Sequence, residues 1–162
     1  MKALGRRWLP ELSGWFRDAS GSTSLEFVFV FPFALYMVLG TIELALDMVV
    51  DASVEIAAQA ASRVGLTTTV PVNESRAQQA SAIVNTILGG WENLGGKVTI
   101  AELDYGTYGN VNTSSYSSSP GALGEIVSYN ITLTMHGFTG IPALFGVPTL
   151  TFQRNYLVQN EQ

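Results

Sequence analysis

The chain has no cysteine, one histidine and few charges: only 13% of its 162 residues are Asp, Glu, Lys or Arg. Without cysteine no disulfide holds the fold, and thiolate metal and redox sites are excluded. The one histidine, His136, has no cysteine or paired carboxylates near it in the sequence, a setting in which a lone histidine is structural or exposed. Positive charge is also in short supply. The net charge of −5 argues against nucleic acid as a partner, because phosphate binding needs a basic surface. No P-loop, Gly-x-Gly-x-x-Gly, Gly-x-Ser-x-Gly or His-Glu-x-x-His pattern is present. Glu102 and Asp104 share one face of an expected strand, but no third ligand or base accompanies them. The expectation is a protein with no catalytic residues, no cofactor and no metal. An envelope enzyme would require Glu102, Asp104 and His136 to converge in one pocket.

What is present is a concentrated apolar run. Phe27 to Ile42 is 16 residues without a charge, and it lifts the mean hydropathy of the chain to +0.25. As a helix it is about 24 Å long, somewhat short of a hydrocarbon core of about 30 Å. Lys2, Arg6, Arg7 and Arg17 precede it, against Glu11 and Asp18. Glu43, Asp47, Asp51 and Glu55 follow it. Positive charge before and negative charge after predict a single pass with the N-terminus in the cytoplasm and the rest outside. A cleaved secretory signal fits poorly, since the run starts late and no small-x-small site ends it. A buried core helix fits less well than insertion, given the cationic leader.

The helix is expected to continue past the membrane, from about Ser24 to Val64, with Gly65 as its C-cap. It has no glycine from Thr41 to Val64 and one internal proline, Pro32, which frees the carbonyl of Val28 and should bend it. Glu43, Asp47, Asp51 and Glu55 recur every four residues and form a drifting acidic stripe. A solvated face is the favoured reading of that stripe over a docking surface for a cationic partner helix. Ala57, Ala60 and Ala61 offer a smooth surface for close packing. Thr67 to Pro71 reads as a linker. Asn73 to Leu88 reads as a second helix, with Asn73 as N-cap and Gly89-Gly90 as its stop.

Strand signals follow. Lys97–Leu103, Ile126–Met135 and Thr149–Val158 alternate apolar and polar residues. Arg154 falls on the apolar face of the last, which places it at an edge or under a partner. Tyr105 to Gly121 is rich in Ser, Gly, Tyr and Asn and is expected to be a mobile surface loop. Gly137 to Pro148 is expected to be an irregular apolar connector. The fold class expected is α+β: a long transmembrane and stalk helix, then a small head with a second helix and an antiparallel sheet of about three strands.

The N-terminal motifs resemble a known class. A basic leader, then Gly21, then Ser-Thr-Ser-Leu-Glu-Phe, then an apolar helix is similar to the type IV prepilins. Within them the Glu26-Phe27 pair looks like the tight-adherence (Tad, or Flp) branch, and there the TadE-like pseudopilins. Leu25-Glu26-Phe27 to Phe31-Pro32, Thr41-Ile42-Glu43 and Ala57 to Gly65 carry the resemblance. It covers Ser20 to Gly65 well and the last 40 residues loosely, while Thr67 to Gly124 carries no part of it. Ser22 departs from the large apolar residue of type IV pilins in general.

The resemblance implies a division into a leader, 1–21, a transmembrane and stalk region, 22–65, and an extracytoplasmic head, 66–162. It implies cleavage between Gly21 and Ser22 by a prepilin peptidase, with Glu26 as fifth residue of the mature chain. It also implies other Tad pilins, the inner-membrane assembly platform and membrane lipid as partners. The rival expectation is an unprocessed bitopic protein whose head binds a ligand or partner.

Overall fold

A computed structural model describes residues 22–65 and 76–160. Gly21, the leader, the linker at 67–71 and the expected cap at Asn73 lie outside the described residues. The chain divides into two compact units, Met1–Thr41 and Ile42–Gln162.

Helix α1 spans Ser22–Gly65, with Pro32 in its interior. In the first unit its apolar side chains are exposed, among them Phe29 (66%), Phe33 (72%) and Met37 (76%). Among the described residues α1 is the one helix long and apolar enough to cross a membrane. Exposed phenylalanines in such numbers are unfavourable in water and favourable in lipid.

The second unit is the α+β fold that the patterning predicts. It contains the rear of α1, helix α2 (Arg76–Glu92), strands β1 (Lys97–Gly106), β2 (Ile126–Met135) and β3 (Leu150–Gln159), and a single helical turn, α3 (Ile141–Leu144). The strands form an antiparallel meander in the order β1-β2-β3. One face of the central strand is apolar at every second residue: Val127, Tyr129, Ile131, Leu133 and Met135 are all buried. Against it pack Val50, Val54, Ala57, Ala58 and Ala61 of α1, and Ala80, Val84 and Leu88 of α2. Both sets recur at helical spacing. The small side chains on α1 let its backbone come close to the sheet.

Two expectations are corrected here. Gly89-Gly90 does not stop α2, which runs on to Glu92. Each glycine costs a helix roughly 1 kcal/mol relative to alanine, but Leu88 is fully buried and Trp91 packs edge-on to Phe138, centroids 6.1 Å apart. Tertiary packing on both sides of the glycine pair carries the helix across it. The turn comes instead at Gly95, where φ is +88°.

The segment 105–121 is not simply a mobile loop. Strand β1 extends to Gly106, a 3-10 turn covers Tyr108–Asn110, and Asp104 and Ser117 exchange backbone hydrogen bonds of 2.8 and 2.9 Å. The Asp104 carboxylate accepts from the Gly106 N–H and from the hydroxyls of Ser117 and Ser119. Buried Asn160 donates through Nδ2 to the carbonyls of Pro120 and Ala122, 3.0 Å each. Gly121 is needed there: its φ is +69°, and a Cβ would lie 2.5 Å from Val127 Cγ2.

The Tyr129 hydroxyl is buried and has no hydrogen-bond partner among the described residues. An unsatisfied buried hydroxyl costs stability that its removal restores. Tyr129→Phe should therefore leave stability unchanged or raise it by up to about 1 kcal/mol in denaturant unfolding; a clear loss would show that the hydroxyl is satisfied in solution.

Candidate functional site

The residues singled out at the start of α1 lie in the first unit. Ser22 is the first residue of the helix, Glu26 is exposed, and Phe27 stacks on Phe31 with centroids 5.2 Å apart. The i, i+4 spacing of the two rings puts them on one helix face.

The acidic stripe proves more informative in the second unit than its expected solvation suggests. Glu43 is buried, at 3% exposure. Its carboxylate accepts from the Phe138 N–H at 3.0 Å, the Thr139 N–H at 2.7 Å and the Thr139 hydroxyl at 2.6 Å. A desolvated carboxylate is costly unless donors replace its water, and these three do so with charge-assisted bonds. The chain must pass very close to manage this. A Cβ on Gly137 would sit 2.6 Å from Glu43 Oε1 and 2.9 Å from Pro142 Cγ, so a side chain there would force the carboxylate or the proline to shift.

Two turns of helix further on, Asp51 and Glu55 hold Arg154 of β3. Arg154 Nη2 lies 2.5 Å from Asp51 Oδ2, and Nε lies 2.8 Å from Glu55 Oε2. This explains how an arginine sits on the apolar face of β3: the stripe on α1 is its partner. These side chains are 35–41% exposed, so solvent screening keeps the pairing weak. Asp47 lies between, lining a groove with Leu44, Met48 and Phe152. The reading of the stripe as a solvated face is thus overturned for Glu43, while Asp51 and Glu55 stay partly in water and pair with Arg154 of the same chain.

The possible catalytic trio does not assemble. Glu102 lies opposite Tyr129 on β2, whereas His136 follows the last residue of that strand. His136 Nδ1 is 2.8 Å from the Pro148 carbonyl, and Asp104 is engaged by its own loop. Burial pushes the Glu102 carboxyl above its usual range. Burial, and then the Glu102 charge, push the Tyr129 phenol up, with Arg76 acting the other way. No group of His, Asp and Glu suited to a metal ion occurs among the described residues.

The role of Glu43 was not apparent in the sequence. Its signals were position, as the first charge after the uncharged run, and a glycine, Gly137, at the end of a strong strand. The donors lie 95 and 96 residues away, a pairing that no local pattern reveals. Glu43→Ala should cost about 2–3 kcal/mol in denaturant unfolding, because it leaves donors without a partner. Arg154→Met should cost clearly less, since its partners are half in water. Equal losses for the two would contradict this ranking.

Residues 21–63 match a family model described as TadE-like protein. No curated protein and no solved structure matches the chain. The matched stretch begins at Gly21 and ends within α1, so it takes in Glu26, Pro32 and the whole acidic stripe. Residues 21–63 are thus similar to the TadE-like family, as their motifs suggested.

Proposed function

We propose that this protein is a minor pilin or pseudopilin, with no enzymatic activity, that serves assembly or function of a Tad (Flp) type IV pilus and the surface adherence such a pilus supports. The observation that carries this reading is the TadE-like match over residues 21–63, which starts at the glycine where processing is expected. The apolar, lipid-compatible surface of α1 supports an anchor in the inner membrane. The basic leader supports a cytoplasmic N-terminus and a head outside.

In this reading a prepilin peptidase hydrolyses the Gly21–Ser22 peptide bond. Water supplies the hydroxyl of the new Gly21 carboxylate and a proton of the new Ser22 amine. That amine lies about 6 Å along the helix from Glu26. With an ordinary pKa near 8 it carries positive charge at neutral pH. Glu26 then pairs with the amine of its own chain or of a neighbouring pilin, and the pairing sets how far one helix slides along another. Breaking such a pair within lipid leaves an uncompensated charge, which makes the contact selective for one alignment. Pro32 lies within the same segment, where packing against neighbouring helices re-satisfies the backbone. Other Tad pilins and pseudopilins, and the assembly platform, are the partners this mechanism requires.

Intact-mass measurement on protein from the native host should find residues 1–21 removed. Glu26→Gln should leave that cleavage intact and sharply reduce assembled pili. Retention of the leader would favour an unprocessed bitopic anchor, and normal piliation in Glu26→Gln would remove the assembly role of Glu26.

A further inference from the structure

The connection between β2 and β3 combines three properties. It carries no charge: from Gly137 to Gln153 there is no Asp, Glu, Lys or Arg. It is apolar and outward-facing, with Leu144 68%, Phe145 82% and Val147 45% exposed. And it is bonded to Glu43, through Phe138 and Thr139.

The third property ties it to the residue that ends the uncharged run. Glu43 is the first ionisable residue after the uncharged run, next in the chain to Ile42. Within the second unit, β3 and α1 keep step. Arg154 meets Asp51 and Glu55, and the connection that precedes β3 meets Glu43. The β2–β3 end of the sheet is therefore the end beside Glu43. The uncharged run supplies about 24 Å of helix for about 30 Å of hydrocarbon. A short span draws its flanking residues toward the lipid. Whatever is tied to Glu43 is drawn with it.

We propose that this connection is a second membrane contact, with Leu144, Phe145 and Val147 entering the interfacial layer of the bilayer in which α1 is anchored. The inference rests on the reading of α1 as a membrane anchor. The occupant is lipid because an uncharged patch held at that depth has hydrocarbon and headgroups as its neighbours. The adjoining α2–β1 turn adds one charge of each sign, Glu92 and Lys97, and leaves the patch neutral. Trp91, edge-on to Phe138, belongs to the aromatic type that favours this layer. Peripheral insertion of this kind reaches roughly 5–10 Å into the headgroup and acyl boundary. A helix alone leaves a head free to swing about its exit point; a second contact fixes the head on the membrane.

The lack of cysteine makes a direct test available, since one introduced cysteine is a unique labelling site. The full-length chain is labelled with an environment-sensitive fluorophore at Ala143→Cys, which spares the three apolar side chains. It is reconstituted in mixed phosphatidylethanolamine and phosphatidylglycerol vesicles. Labels at Phe33→Cys, within α1, and at Tyr108→Cys, at the opposite end of the sheet, serve as references. The label at 143 should be blue-shifted, quenched by lipids with a nitroxide near the headgroup, and shielded from aqueous iodide. Adding Phe145→Asp should abolish the lipid quenching.

Three results would overturn the proposal. If 143 behaves like 108 while 33 is quenched by lipid, the contact fails and the anchor stands. If 33 is also in water, the anchor fails and the contact with it. If 143 is shielded from both quenchers, the patch lies against protein.

Discussion

A carboxylate that leaves water must be given donors, and Glu43 takes three of them from the start of the β2–β3 connection. Much of the second unit is arranged so that this can happen. Gly137 has no side chain because one would strike the carboxylate. Thr139 supplies two donors from one residue, its backbone N–H and its hydroxyl. The position of Glu43 in the chain, directly after sixteen uncharged residues, gives the interaction its importance. A buried carboxylate has few alternatives to these donors, so the connection and the helix are held together at Glu43.

The remaining attachment of sheet to helix is graded. Arg154 bridges Asp51 and Glu55 in partial contact with solvent, a contact that contributes direction more than energy. Beyond it, Val54, Ala57, Ala58 and Ala61 close against Tyr129 and its neighbours in the apolar core. The acidic side chains and the small apolar ones occupy different strips of one helix surface. Each strip meets a different part of the sheet. The helix that matches the TadE-like model over most of its length thus also supplies the surface on which the sheet packs.

Local periodicity revealed most of the architecture. The central strand, Ile126–Met135, has the bounds its alternation predicts, and its inward residues are the buried ones. The long helix was legible because it contains a continuous uncharged run and then an alanine-rich one. Propensity misled where packing was stronger: two glycines did not end α2, because Leu88 and Trp91 are both held by the core. Composition misled at 105–121, where serines that suggest mobility are hydroxyl donors to Asp104. The acidic stripe was recognised as a pattern but not as a contact. Its partners, Thr139 and Arg154, are around one hundred residues away, and one of them is a backbone amide that has no sequence signature at all.

The most direct measurement of the central claim is amide hydrogen exchange at Phe138 and Thr139 in the full-length protein reconstituted in lipid vesicles. Both amides donate to Glu43 and lie outside the β ladder. They should exchange as slowly as the ladder amides of β2, such as Ile131, although they belong to a connection between strands. Exchange at the rate of an unprotected peptide, with Ile131 protected, would contradict the account.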